Sequence, residues 1–203
     1  MITAPDWWTG DVSRETLEKL QAYEDLIRKW TRKINLVARS TLNDIEQRHI
    51  WDAAQVFAER SGRWADLGSG GGLPGVVAAI FAQAQGLDTH FVLVESDQRK
   101  ATFLRTCARE LGVPFTVVAE RIEDVPPLSA QTVSARALAS LDVLLMLAEP
   151  HLAEDGLCIF QKGAQWQREV AEAEKNWRFS YEAMQSKTNE EAVVLKIKDI
   201  QRV

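Results

Sequence analysis

Apolar and polar positions recur along this chain in two different periods, and the changes of period mark its elements. From Ser13 to about Lys33, apolar residues return at helical spacing, with Leu17, Leu20, Ile27 and Trp30 on one stripe. Thr41-Leu42-Asn43-Asp44 reads as a capping box opening a second helix, which carries Ile45, His49, Ala53 and Val56 on one face. Further on, short apolar runs predict strands: Arg63 to Leu67, with its end at Asp66, then Phe91 to Val94, Phe115 to Val118, Thr132 to Ala135 and Leu157 to Phe160. Helical patterns separate them, at about Pro74 to Gln83, Asp97 to Leu111, Leu141 to His151 and Gln165 to Lys175. Gly112 and Pro114 stop the second of these. Strand and helix in alternation predict a mostly parallel sheet with both faces covered. The end of the chain differs. Trp177 to Met184 and Ala192 to Lys198, separated by the polar stretch Gln185 to Glu190, read as an antiparallel hairpin.

The densest chemical signal lies between the first strand and its helix, in Asp66-Leu67-Gly68-Ser69-Gly70-Gly71-Gly72-Leu73-Pro74-Gly75. Glycines let a backbone turn sharply and approach a ligand, and the following helix turns its free N–H groups toward the same place. The second strand ends in Glu95, where a carboxylate can accept both hydroxyl protons of a ribose. Three cofactor classes compete. A phosphate-cradling P-loop needs Gly-Lys-Ser/Thr, and Leu73-Pro74-Gly75 is not that. A dinucleotide loop, Gly-x-Gly-x-x-Gly, is matched by Gly70 to Gly75, with Glu95 at the expected distance. S-adenosylmethionine is matched by Asp66, Gly68, Gly70 and Gly72, in the register acid-x-Gly-x-Gly-x-Gly. The acid favours that third class, because a carboxylate repels a pyrophosphate but suits a sulfonium and an ammonium. A dehydrogenase would usually add a substrate domain, and the hairpin leaves no sequence for one. A hairpin closing a parallel sheet marks the class I S-adenosylmethionine-dependent methyltransferase fold. The prediction is therefore a Rossmann-like α/β domain over 1–203, with a seven-stranded, mostly parallel sheet. Residues 1–60 form an N-terminal helical cap on a core of 61–203.

Composition narrows the setting. The chain has 203 residues, of which 46% are hydrophobic, enough for one domain with a proper core. No apolar run is long enough to cross a bilayer, and Met1 to Gly10 has no signal-peptide pattern. Cys107 and Cys158 read as reduced core thiols of a cytoplasmic protein, and neither they nor the three histidines have metal-ligand spacing. A net charge of −5 argues against coating bare nucleic acid. Arg28, Lys29, Arg32, Lys33 and Arg39 nevertheless cluster before the glycine loop, either as a solvated helix face or as a patch for RNA phosphates.

Several segments resemble one family. They are Asn35-Leu36, Arg48-His49-Ile50-Trp51-Asp52, Leu67 to Gly75, Arg121-Ile122-Glu123, Ser134-Ala135-Arg136-Ala137-Leu138-Ala139-Ser140-Leu141 and Lys162-Gly163. In order and spacing, from roughly Leu17 to Val203, the chain resembles the bacterial 16S rRNA guanine-N7 methyltransferase G family, also known as glucose-inhibited division protein B. It departs in having Gly71 where many members have proline, Ala53 where serine is common, and Glu191 near a last strand often preceded by a basic residue. The resemblance implies methylation of N7 of one guanine in a 16S rRNA hairpin near the decoding site. The substrate would be the small ribosomal subunit or its assembly intermediate, met by a cytoplasmic monomer. A small-molecule methyltransferase and a non-catalytic assembly factor are the rival readings.

Guanine N7 offers a lone pair and has no proton to lose, so no general base is expected; positioning and electrostatics should suffice. Asp66, Gly68, Ser69, Gly70, Gly72 and Leu73 are expected around the methionine and ribose of the cofactor, with Glu95 on the ribose hydroxyls. Ile122 and Glu123 follow the third strand, where the adenine edge should lie. Arg136, at the end of the fourth strand, falls among the cofactor contacts by resemblance and is the expected positioning residue. It could instead hold guanine O6, a phosphate or a structural ion pair. His49 could line the cofactor mouth, seat RNA or bond within its own helix. Lys162 could meet phosphate. Trp7 and Trp8 read as packing residues rather than base-stacking ones.

Overall fold

The described residues, 1–10 and 12–203 of a computed structural model, begin with the helix that the apolar stripe predicts. Helix α1 spans Arg14–Thr31 and is capped by Ser13, whose hydroxyl accepts the N–H of Thr16 at 3.1 Å. It buries Leu20, Tyr23 and Ile27. The second predicted helix is not a plain α-helix. Arg39–Asp44 is a 3₁₀ turn, Glu46–Trp51 a π-helix, and only Asp52–Ala54 (α2) is α-helical. The capping box does not form: Thr41 lies inside the 3₁₀ turn, and its hydroxyl donates to Ala38 O at 2.7 Å. A π segment widens the helix and re-aims its side chains, and such segments concentrate at functional sites.

The alternation that follows matches the sequence closely. Strands β1 (Gly62–Leu67), β2 (Thr89–Val94), β3 (Phe115–Val118), β4 (Ala130–Arg136) and β5 (Leu152–Lys162) pair in parallel. Between them run α3 (Gly75–Ala84), α4 (Gln98–Leu111) and α5 (Leu141–Ala148). Asp97 caps the start of α4, and Gly112, at φ 62°, ends it in the left-handed conformation that glycine adopts freely. After α6 (Trp166–Ala173) the hairpin β6 (Trp177–Gln185) and β7 (Val193–Arg202) completes a seven-stranded sheet in the order β3-β2-β1-β4-β5-β7-β6. Strand β7 inserts beside β5 and is antiparallel to both neighbours, so it alone runs against the rest.

Two buried clusters cover the two faces. One joins Trp64, Phe91 and Leu93 of the sheet to α1, α3, α4 and the cap residues Ile45, Ile50 and Trp51. The other joins Ala65, Leu67, Val92 and Val94 to α5, α6 and Trp177. Trp7 and Trp8 pack at the rim of the first cluster, with Trp8 4.9 Å from Phe81 and 5.5 Å from Trp51 between ring centroids, as packing residues should. No helix among the described residues is long and apolar enough to cross a membrane.

Candidate active site

Strand order reverses at β1. The chain steps outward through β2 and β3, then returns to lay β4 on the other side of β1. In open α/β sheets that reversal leaves a crevice beyond the carboxyl ends of the strands, where ligands bind. Here the glycine turn after β1 forms the crevice floor. Ser69 N–H donates to Val94 O at 3.0 Å, Gly72 N–H to Ser69 O at 2.7 Å, and the cap residue Tyr23 donates its hydroxyl to Gly71 O at 2.5 Å. The glycines have different duties. A Cβ on Gly70 would meet nothing nearer than the Gly68 carbonyl at 3.8 Å, so this residue opens onto the crevice. A Cβ on Gly72, at φ 84°, would stand 2.5 Å from Val76 Cγ2 and 2.9 Å from Tyr23 Oη.

The crevice holds a cavity of about 390 Å³. Gly68, Ser69, Gly70, Leu73, Glu95, Ile122, Glu123 and Arg136 all line it, with Leu36 from the cap and Lys100 from α4. Glu95 is buried, and its carboxylate is fixed from behind: Oε2 accepts Gly70 N–H and Oε1 accepts Asp97 N–H, both at 2.8 Å. Each oxygen keeps a lone pair for a further donor, which is what a vicinal diol requires. Across the cavity, the short 3₁₀ turn Ile122–Asp124 starts without a side-chain cap. His151 holds that turn from below, with Nε2 3.2 Å from Ile122 O.

Two expected cofactor contacts do not reach this cavity. Side chains alternate across β1, so Asp66 points to the face opposite Ala65 and Leu67. It is fully buried; Oδ1 accepts the Ser134 hydroxyl at 2.7 Å and Oδ2 the Gly75 N–H at 3.3 Å. Burial pushes its carboxyl up to about 6 against the lowering effect of those bonds. Asp66 thus ties the start of α3 to β4. Gly72 is likewise spent on close packing against Tyr23 and Val76.

A second cavity, of about 570 Å³, adjoins the first, and Arg136 and Ala137 line both. The cap supplies Thr41, Arg48, His49 and Asp52; the end of β5 supplies Gln161 and Lys162; the hairpin turn supplies Ser186, Thr188 and Asn189. Arg136 stands between the cavities. Its Nη1 donates to Asp52 Oδ2 at 3.1 Å and Arg48 O at 3.4 Å, and its Nη2 lies 3.1 Å from His49 Nδ1. A guanidinium only donates, so Nδ1 accepts and the imidazole is neutral, with its proton on Nε2. That proton goes to Thr41 Oγ1 at 2.7 Å, since the Thr41 hydroxyl itself serves Ala38 O. Burial first, then the Arg136 charge, lower the His49 pKa to about 4.

The rRNA small subunit methyltransferase G model, GidB, matches residues 16–196. The chain belongs to this family. A ribosomal RNA small subunit methyltransferase G of Ruegeria sp. strain TM1040 is 52% identical over 195 residues, covering 95% of each chain. The protein of the same name from Ruegeria pomeroyi is 50% identical over 204 residues, covering both chains completely. Among solved structures, M. jannaschii TYW2 in complex with AdoMet aligns with a TM-score of 0.60 at 15% identity, over 85% of this chain and 80% of that one. A point mutant of MtNAS in complex with S-adenosylmethionine aligns at 0.56 and 14% identity, over 91% of this chain and 71% of that one. At that identity the likeness establishes the class I methyltransferase fold.

The residues predicted to contact RNA separate into two groups. Arg28 is an internal brace: it pairs with Glu24 at 2.5 Å and donates to Leu42 O, fastening α1 to the 3₁₀ turn. Lys162 is buried; its Nζ donates to Ala139 O at 2.8 Å and pairs with Glu169 at 2.6 Å. Glu169 also receives the Leu141 N–H at the start of α5. Arg32, Lys33 and Arg39 are exposed, and no ion pair holds them among the described residues. Sequence reasoning missed Gln161 and Thr188, which bring Nε2 and Oγ1 to Asp52 at 2.8 and 2.6 Å. Gln161 carried a usable signal, a polar residue at the carboxyl end of a parallel strand. Thr188 carried none, since only the folded hairpin brings it to Asp52.

Proposed function

We propose that this protein transfers the methyl group of S-adenosylmethionine to N7 of one guanine in 16S rRNA, near the decoding site of the small ribosomal subunit. The reading rests on the resemblance and the family, and the single structural observation that carries it is the pair of cavities meeting at Arg136. The first suits the cofactor: a diol-accepting carboxylate at Glu95, apolar walls from Leu73 and Ile122, and an open glycine edge at Gly70. The second suits a base presented by a folded RNA. On this reading the protein acts as a cytoplasmic monomer on the small subunit or an assembly intermediate.

Bound S-adenosylmethionine supplies a methyl carbon made electrophilic by its sulfonium. With the cofactor held in the first cavity, guanine N7 would take the methyl group on its own lone pair, and no residue would have to remove a proton. The side chains at the junction agree with a reaction that needs no base. His49 is neutral, but both its nitrogens are engaged, one by Arg136 and one by Thr41. Arg136 positions: its remaining donors can hold guanine O6 or a flanking phosphate beside the cofactor. Positive charge passes into the purine ring during transfer, so an uncompensated guanidinium there would oppose the reaction. Asp52, 3.1 Å from Arg136, supplies the compensating charge.

The test is methyl transfer from labelled S-adenosylmethionine to small subunits from a strain lacking this gene, beside deproteinised rRNA. The product is probed for strand scission at N7-methylguanine. One new scission site in a 16S hairpin is the expected outcome. Cofactor binding without methylation of either substrate would overturn the reading in favour of a small-molecule enzyme or a docking factor.

A further inference from the structure

The chain is acidic, yet its charge is divided sharply. Residues 28–39 hold five Lys or Arg and no acid, and residues 97–110 hold four Lys or Arg and two acids. Together they carry nine of the 24 basic residues and two of the 29 acidic ones, so the rest of the chain is far more acidic than its net charge suggests. These segments are the end of α1 with its following loop, and α4, which pack side by side. Between them runs a groove of about 450 Å³, walled by Lys29 from α1, Lys33 from the turn after it, and Thr106 and Arg109 from α4, with Trp30 against Phe103 at its floor. Glu110 also lines it and pairs with Arg109 at 2.9 Å. Lys29 and Lys33 are exposed, with no acidic partner among the described residues. The same two segments also reach the first cavity: Leu36, after α1, and Lys100, at the other end of α4, both line it. From Lys100 to Arg109 the helix rises about 14 Å, several nucleotide steps of a strand.

We propose that the groove between α1 and α4 binds the phosphodiester backbone of the substrate RNA as it approaches the transfer point, with Lys29, Lys33 and Arg109 as phosphate contacts. The proposal rests on the RNA-methylation reading. It commits to RNA because clustered cations with little local acid, on an acidic protein, complement a polyanion, and because the loop after α1 and helix α4 reach from the groove to the first cavity, which adjoins the second at Arg136. It also explains how an acidic protein can hold a nucleic acid locally without coating itself on it. Sequence alone marked the α1 half of this surface; α4 completes it only in the fold.

The experiment compares the full-length protein with Lys29→Glu/Lys33→Glu and with a control of equal charge change on the hairpin, Arg178→Glu/Lys198→Glu. Small subunits from a strain lacking the gene are the probe. Binding is followed by co-sedimentation across a salt series, alongside methyl transfer. The groove variant is expected to raise KM for subunits about tenfold or more and to flatten the log–log salt slope by about 0.7–0.9 per lost phosphate contact. KM for S-adenosylmethionine should be unchanged, which also shows that the variant is folded. The control should move neither quantity. A benzophenone side chain at position 106 should crosslink to 16S rRNA. Unchanged binding in the groove variant, an equal loss in the control, or crosslinks to ribosomal protein alone would overturn the proposal. If the wild type binds subunits through the groove but methylates nothing, the methylation reading fails and the groove stands. If it neither binds nor methylates, both fail.

Discussion

Asp66 is ionisable and fully buried, and its carboxylate accepts two internal hydrogen bonds, so its influence should appear as a dependence of stability on pH. Its folded value is about 6 and its ordinary value 3.8, with burial as the cause. Between those values the folded state binds more protons than the unfolded state. Stability contributed by this group is therefore greatest at low pH, falls as pH rises through the window, and levels off above it, with about 3 kcal/mol at stake. Asp66→Asn cannot titrate, and its amide would set a donor against Gly75 N–H. The variant should be destabilised at every pH, and its deficit against wild type should be larger near pH 4 than near 6.5 in urea melts. A deficit that does not change with pH would mean that Asp66 titrates as an exposed carboxyl does. The same residue shows what the motif leaves open. Acid-x-Gly-x-Gly-x-Gly specifies an acid at the end of a strand, but side-chain alternation across β1 decides which face it serves. Trp64 and Ser134 fix that face, since Ser134 accepts Trp64 Nε1–H at 2.8 Å and donates to Asp66.

The strand–helix alternation from β1 to β5 was legible because buried parallel strands are short apolar runs and their helices carry ordinary stop signals, such as Asp97 and Gly112 around α4. The segment 39–54 was not. Its predicted face, Ile45, His49, Ala53 and Val56, is helical enough, but Thr41 was read as a cap acceptor, whereas its hydroxyl donates to Ala38 O and accepts from His49. Three helix types in succession satisfy a requirement that lies outside the segment, namely bringing Arg48 O, His49 and Asp52 to the same guanidinium. The glycine turn, Glu95, Ile122 and Arg136 were legible as a group because loop, strand ends and cavity follow from strand order. The Asp52 partners Gln161 and Thr188, 109 and 136 positions away along the chain, were not. Thr41→Val isolates the contribution of the 3₁₀ turn. It strands His49 Nε2–H without an acceptor, for about 1–3 kcal/mol of stability. It also frees the imidazole to turn from Arg136. Thermal melts should show the lower stability. Stopped-quench transfer assays should show a lower kcat with KM for S-adenosylmethionine little changed. A loss of stability with kcat intact would show that the turn supports the fold but does not orient Arg136.

The sheet separates two hydrophobic clusters, and the first cavity lies at its carboxyl edge. The cavity wall takes residues from the cap, the β1 turn, the end of β2, α4 and the end of β4, so a ligand seated in it contacts structure belonging to both clusters. Binding to the folded state alone must then raise the stability of the whole chain, by about 2.7 kcal/mol at a ligand concentration one hundred times Kd. For a protein of this size that corresponds to a rise in Tm of about 5–10 °C. S-adenosylmethionine is expected to produce this rise in a single cooperative transition, and NAD to produce none. Glu95→Gln is the decisive variant. Both backbone groups that hold the side chain, Gly70 N–H and Asp97 N–H, are donors, and an amide can accept from only one while its NH₂ faces the other. The variant should start from a slightly lower Tm and lose most of the S-adenosylmethionine shift, because the diol-accepting carboxylate is gone and the glycine turn has lost one of its anchors. An undiminished shift would remove Glu95 from the cofactor contacts. A shift with NAD would revive the dinucleotide reading that Gly70 to Gly75 also fits.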